Sequence, residues 1–204
     1  MAPVEIRQGI GVSAGTVVGP VVQVRPPATA PADEPPTTDA PAARERVKAI
    51  FDEVARGLEE RASRADSTAQ QILTAGALMA RDKGLQKAIG RKLDAGLGPT
   101  TAVTAAVADY AAQFTALGGY FAERVADLND VRDRAVARLL GLPEPGVPEF
   151  SQPSIIVAYD LAPAETATLR PATCLGIVTE VGGRTSHTAI LAAQMGMPAV
   201  VQVA

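Results

Sequence analysis

The chain has 204 residues, 47% of them hydrophobic and 20% charged, with a net charge of −3. That length suits one large domain or two modest ones, and the apolar balance excludes a disordered chain. The acidic balance, the absence of Trp and the 3% aromatic content exclude a basic nucleic-acid stripe and a base-stacking platform.

Cys174 is the only cysteine, so no intrachain disulfide forms. Its setting in the apolar run "CLGIVT" reads as a buried, inert thiol. The opening "MAPVEIRQGIGV" lacks the apolar core of a signal peptide, and no apolar run approaches the ~18 to 20 residues that span a bilayer. A soluble, cytoplasmic chain is expected, without membrane insertion or nucleic acid.

Residues 1–25 read as strands, "TVVGPVVQV" most clearly, because β-branched residues sit between Gly and Pro. Within them "GIGVSA" matches the permissive form of the dinucleotide fingerprint. That motif must open a helix after a strand, whereas here it runs into more strand, so its glycines are read as serving turns and bulges. Residues 26–41, "PPATAPADEPPTTDAP", are dense in proline and read as a linker or exposed loop.

Residues 42–141 read as helices in series. Val47, Ile50, Phe51, Val54 and Leu58 recur three or four apart. "QQILTAGALMARDKGLQKAIGRKLDAG" breaks into two helices near Asp82 to Gly84. "LGPTTAVTAAVADYAAQFTAL" starts after Gly-Pro, with Thr100 or Thr101 as N-cap. "YFAERVADLNDVRDRAVARLLG" stops at Gly141. Four or five such helices with short connections make an antiparallel bundle.

Beyond the second proline-rich joint, "LPEPGVPEFSQP", strand and helix alternate as in a parallel sheet: "SIIVAYD", "PAETATL", "CLGIVTEV", "SHTAILAAQMG", "MPAVVQVA". The N-terminal strands are too few to fold alone. They are expected to join this block, giving a discontinuous α/β domain over 1–25 and 142–204, a linker over 26–41 and an inserted helical domain over 42–141.

His187 is the only histidine in the chain. After "CLGIVTEV" a glycine pair turns, Thr185 or Ser186 caps the next helix, and Gly196 and Pro198 end it. Ala189, Ala192 and Ala193 permit close packing, while Ile190, Leu191 and Met195 are expected to cover the sheet. His187 then stands in a first helical turn at the carboxyl end of a parallel strand, where ligands collect and where helix N–H groups favour anions. The same field disfavours an imidazolium, leaving a lone pair able to act as a nucleophile. Spacing alone leaves two roles open, an ordinary cap or surface residue and a phosphoryl acceptor.

"GGRTSHTAILAAQMGMPAVV" resembles the phosphohistidine signature of phosphoenolpyruvate-utilising enzymes, shared by pyruvate phosphate dikinase and phosphoenolpyruvate synthase. "GIGVSAGTVVGP", "DLAPAETATL" and "YFAERVADLNDVRDRAVARLLG" resemble the N-terminal half of Enzyme I of the phosphoenolpyruvate:sugar phosphotransferase system. The resemblance covers essentially the whole chain. It implies an α/β phosphohistidine swivelling domain with an inserted antiparallel α-helical bundle, and phosphoryl relay to a small histidine-containing phosphocarrier protein that feeds sugar uptake. Two alternatives remain at this point: the swivelling domain of a dikinase-type enzyme, and a non-catalytic helical interaction module.

Carried over, His187 matches the histidine phosphorylated on Nε2 and Thr166 the threonine whose hydroxyl partners it. Arg184, Thr185 and Ser186 lie in the signature, with Arg184 and Ser186 placed in the catalytic group and Arg184 expected to help hold the phosphoryl group. Met79, Asp82, Leu85, Phe121 and Arg124 fall where the family docks its carrier. The chain departs from the family at Thr74, Gly76, Ala80 and Arg81, where an acidic, aromatic-containing run with a histidine is usual, and at Gln194, where arginine is. The family's C-terminal barrel binds phosphoenolpyruvate and Mg²⁺ and makes the dimer. The chain is accordingly expected to be a monomeric fragment without a cofactor of its own, unable to use phosphoenolpyruvate alone.

Overall fold

The computed structural model describes all residues except 1–3, 66, 149, 162, 167, 168 and 204, and the side chains of 67, 68, 163, 164 and 187. By internal contacts the described chain forms two compact units, Met1–Pro26 with Gly146–Ala204, and Pro27–Pro145.

The first unit is built on a five-stranded sheet. Strands β1 (Ile10–Ser13), β2 (Val21–Gln23), β3 (Ser154–Ala158), β4 (Cys174–Thr179) and β5 (Ala199–Val201) lie in the order β1-β5-β4-β3-β2. β2, β3, β4 and β5 are parallel neighbours, while β1 runs antiparallel to β5 with a bulge between Gly11 and Ser13. The N-terminal strands thus add one edge to each side of the sheet that the last 60 residues begin. Helices α7 (Pro163–Thr166) and α8 (His187–Gln194) form the connections. Ile156, Ile177, Cys174, Ala192 and Met197 sit in one core cluster. Burial foremost pushes the Cys174 thiol up, the Gly176 backbone offsetting this only in part, and the S–H donates to the Gly176 carbonyl, as a buried, protonated thiol does.

"TVVGP" is not a strand. Val18 is 91% exposed, and β2 begins only at Val21. β-propensity without a partner strand to pair with does not make a ladder. Ile190 also departs from expectation. Helix α8 buries Thr188, Ala189 and Ala192, and the helical period turns Ile190 away from that face, to 49% exposed.

The second unit is helical: α1 (Ala40–Ala62), α2 (Ser67–Ala80), α3 (Lys83–Asp94), α4 (Pro99–Leu117), α5 (Gly119–Glu123) and α6 (Val125–Leu139). Val47, Phe51, Val54 and Leu58 bury one face of α1, as their spacing requires. Against them pack buried Leu73, Leu85, Ile89, Val103, Val107 and Leu128 from the other helices. The late helical stretch is broken at Arg124 into α5 and α6, and Gly141, at φ 68°, ends it in the left-handed conformation a glycine C-cap supplies.

Residues 27–39 are grouped with this bundle and do more than link. Glu34 accepts hydrogen bonds from the backbone N–H groups of Thr100 and Thr101 at 2.9 and 2.8 Å, and Thr37 Oγ1 donates to the Leu97 carbonyl at 2.6 Å. Neither threonine is the N-cap of α4. Gly98 holds that position without a side-chain bond, and a carboxylate from a distant segment supplies the acceptor instead. Burial works against the Glu34 charge, but the Thr100 and Thr101 donors outweigh it and hold the carboxyl below its ordinary range. Asp39 and Pro41 then start α1, the former accepting from the Ala42 N–H at 3.0 Å.

Candidate functional site

Strand β4 ends at Thr179, and residues 180–186 carry the chain to α8. The turn is held on both sides. Glu180 and Val181 donate backbone hydrogen bonds to the Ala158 and Tyr159 carbonyls at the end of β3, at 3.0 and 3.1 Å. Thr179 Oγ1 donates to the Val181 carbonyl at 2.7 Å, and Gln202 Nε2 to the Gly182 carbonyl at 2.8 Å. Gly182 has φ 103°, a conformation that a side chain would strain, and nothing lies within 4 Å of where a Cβ on Gly183 would be. The glycine pair therefore makes the turn and leaves open space beside it.

Of the two capping candidates the helix uses Ser186. Its Oγ accepts from the Ala189 N–H at 3.2 Å and its carbonyl accepts from the Ile190 N–H at 3.0 Å. His187 is the first residue of α8, at the positive end of the helix dipole, with no acidic residue in the first turn. Its imidazole lies outside the described residues. Arg184 is exposed in the preceding turn and donates to the Gly11 carbonyl at 3.4 Å, reaching across to β1. Thr166 closes α7 and is 1% exposed. Helices α7 and α8 pack together, which brings the elements carrying Thr166 and His187 side by side. Ile190, one turn after His187, adds an exposed apolar group to that stretch of surface. Among the described residues no three His, Cys, Asp or Glu side chains converge where a metal ion could sit. No helix among them is long and apolar enough to cross a membrane.

The residues assigned to docking separate by exposure. Phe121 is 45% exposed, Arg124 bonds Asp127 Oδ2 at 2.9 Å, and Met79 is half-buried. Asp82 caps α3, its Oδ1 accepting from the Leu85 N–H at 2.6 Å. Leu85 is 1% exposed and corrects the expectation, because its side chain belongs to the bundle core. Gly76 is buried as well: a Cβ there would meet Leu58 at 3.3 Å, so this departure from the family lies in helix packing. Arg81 is committed to a two-pronged pair with Glu59.

One feature of this surface escaped the sequence reading. Tyr110, Phe114, Phe121 and Tyr120 form a continuous aromatic row with centroid separations of 6.3, 5.4 and 6.0 Å, and Arg124 stacks 4.6 Å above the Tyr120 ring. Four of the chain's seven aromatic residues, three Tyr and four Phe, are gathered here. The signal was the 4-3-4 spacing of Tyr110, Phe114, Leu117 and Phe121, hidden because the Gly118-Gly119 pair interrupts it.

A phosphoenolpyruvate-protein phosphotransferase of Streptomyces coelicolor is 46% identical over 198 residues, 95% of this chain and 35% of that protein. The Haloferax volcanii protein of the same name is 35% identical over 208 residues, 96% of this chain and 35% of its own length. The chain thus spans about a third of the length of the curated relatives it matches. A solution NMR structure of Enzyme I superposes with a TM-score of 0.81 at 27% identity, covering 97% of this chain and 82% of that one. The N-terminal domain of Enzyme 1 - Nitrogen shares the fold, with a TM-score of 0.61 at 24% identity, covering 97% of this chain and 84% of that one. With the N-terminal model of the PEP-utilising enzymes matched over residues 8–124 and their mobile-domain model over residues 150–204, the chain belongs to the phosphoenolpyruvate-utilising enzyme family.

Proposed function

We propose that this chain is the phosphoryl-relay part of a phosphoenolpyruvate-protein phosphotransferase, working in the cytoplasm on a small histidine-containing phosphocarrier protein. The observation that carries the reading is the position of His187. The chain's only histidine opens a helix at the carboxyl end of a parallel strand, inside the stretch that matches the family's mobile domain. In the forward direction a neutral imidazole nitrogen of His187 attacks the phosphorus of phosphoenolpyruvate, held by a separate C-terminal domain with its Mg²⁺. The P–N bond forms, the bridging P–O bond breaks, and enolpyruvate leaves. The carrier's imidazole then attacks the same phosphorus, and the bond to His187 breaks.

The surroundings suit the dianion between those steps. First-turn N–H groups of α8 face the phosphoryl group, Arg184 supplies a cation from the turn, and Gly183 leaves room for the donor. Thr166, on the adjoining helix, orients the imidazole. The α/β unit acts as the swivelling phosphohistidine domain, and the bundle docks the carrier through Met79, Phe121 and Arg124. Mixing the chain with phosphorylated carrier tests the reading. Acid-labile, base-stable phosphate on the wild type and none on His187→Ala is the expected result, and no labelling of the wild type overturns it.

A further inference from the structure

Among the described residues Gln202 is the only one besides glycine with a positive φ, 56°. A side chain is strained in that left-handed region, because its Cβ crowds the following carbonyl, whereas glycine adopts it freely. Such strain persists only where the surroundings over-determine it. Here both neighbours are held. Val201, in β5, is fully buried, and the Val203 N–H donates to the Thr179 carbonyl at the end of β4, at 3.1 Å. From this fixed backbone the exposed Gln202 side chain reaches the turn before α8, where its Nε2 donates to the Gly182 carbonyl at 2.8 Å. The bond joins two positive-φ positions 20 residues apart, since Gly182 has φ 103°.

That carbonyl belongs to the peptide between Gly182 and Gly183. Its acceptor role is taken by Gln202 alone among the described residues. The described peptides are all trans, so the C=O and N–H of one unit point opposite ways. Holding the Gly182 carbonyl against Gln202 therefore turns the Gly183 N–H to the other side. The next unit is fixed in the same manner. The Ser186 N–H donates to the Gly183 carbonyl at 3.0 Å, which sets the direction of the Arg184 N–H. Neither the Gly183 nor the Arg184 N–H has an acceptor among the described residues. Two successive backbone donors are thus oriented and unengaged in the turn that leads into His187, with open space where a Gly183 Cβ would lie. A glycine pair is also the stretch of this turn that would rotate most easily if nothing held it.

We infer that Gln202 is a positioning residue for phosphoryl transfer: its side chain locks the Gly182–Gly183 peptide so that the Gly183 and Arg184 N–H groups stand ready for the phosphoryl oxygens on His187. The inference rests on the phosphohistidine role proposed above and adds a residue that acts through the turn backbone rather than on the phosphoryl group. Donors fixed in advance stabilise an anion without reorganising as its charge develops. The strained backbone at Gln202 is the local stability lost to that order.

The test uses the whole chain and the phosphorylated phosphocarrier encoded in the same genome. Gln202→Gly removes the side chain and relaxes the backbone, while Gln202→Glu keeps the length but at neutral pH offers only acceptors. Rapid-quench transfer at saturating carrier should fall about 10-fold in each variant, well within what a misplaced group costs, and the half-saturating carrier concentration should stay within about twofold. The melt of Gln202→Gly should remain within ~3 °C of wild type, because relief of the left-handed backbone offsets one exposed hydrogen bond. By NMR, the Gly183 and Arg184 amide protons should move downfield when the wild type is phosphorylated, as donors to an anion do, and move less in both variants. Wild-type rates in either variant, or amide shifts that phosphorylation of the wild type leaves unchanged, overturn the inference. A melt that falls together with the rate shows a merely structural role and overturns it too. Failure of the wild type to accept phosphate overturns the function proposed above along with this inference, whereas normal acceptance by the wild type and both variants overturns this inference alone.

Discussion

Ser186 accepts the Ala189 N–H at 3.2 Å, and this contact decides where α8 begins and so where His187 stands. Ser186→Ala should cost about 1 kcal/mol, the usual value of an N-cap, and slow phosphoryl acceptance through a looser helix start. A thermal melt and rapid-quench transfer check the two effects. Thr166 is buried beside α8, and its proposed role is orientation. Thr166→Ala should slow transfer with little change in carrier affinity, and Thr166→Ser, which restores the hydroxyl, should recover most of the rate. Leu85 behaves oppositely. Its side chain fills the bundle core, so Leu85→Ala should cost about 2–5 kcal/mol in urea unfolding and leave carrier affinity per folded molecule unaltered.

Helix α4 shows how an element can depend on a residue far from it in sequence. Its first N–H groups receive no local side-chain cap, and Glu34 serves them from 66 and 67 residues away. Glu34→Gln should lower stability by about 1 kcal/mol at pH 7, within the range of a lost cap. The folded Glu34 pKa lies below its ordinary value. Its contribution is therefore complete above the unfolded carboxyl value, about 4.3, and is lost as pH falls through the folded one. The gap between wild type and variant should be constant from neutrality to mild acid and close below about pH 4, as melts across that range will show. The break between α5 and α6 has a similar logic: Arg124 ends one helix and starts the next while its guanidinium spans Tyr120 and Asp127.

For the molecule as a whole, the points where the chain passes between its two units are at 26/27 and 145/146. Just before the second, Glu144 accepts from Arg138 at 2.6 Å, Arg134 at 2.9 Å and Arg61 at 3.3 Å, while Arg138 also reaches Glu53 at 2.8 Å. Burial opposes the Glu144 charge, and Arg138 and Arg134 overcome it, holding the carboxyl below its ordinary range. Arg134 is 3% exposed and, among the described residues, keeps Asp130 as its one carboxylate partner if Glu144 is removed. Glu144→Ala should therefore cost roughly 2–3 kcal/mol, less than orphaning a buried charge outright, measurable by urea unfolding. Because the pKa is lowered in the folded state, this contribution too is present at neutral pH and lost as pH falls through the folded value.

Local chemistry was enough to read much of this protein. The three- and four-residue recurrence of Val47, Phe51, Val54 and Leu58, the glycines at 141 and 196, and the apolar runs that became β3 and β4 are short-range features, decided within one or two turns. The same is true of His187 at a helix start, since Gly182, Ser186 and the helix signals lie within a few residues of it. Long-range contacts settled the rest. Nothing in "TVVGP" reveals that no strand is available to pair with it, and nothing near Thr100 reveals that Glu34 supplies its acceptor. Leu85 and Gly76 read as surface positions until the packing of α1 against α2 and α3 buried them. The aromatic row exists only because α4 and α5 pack together, which places Phe121 against Phe114. Periodicity is a property of one segment, but a surface is made by several, and only the folded chain brings them into contact.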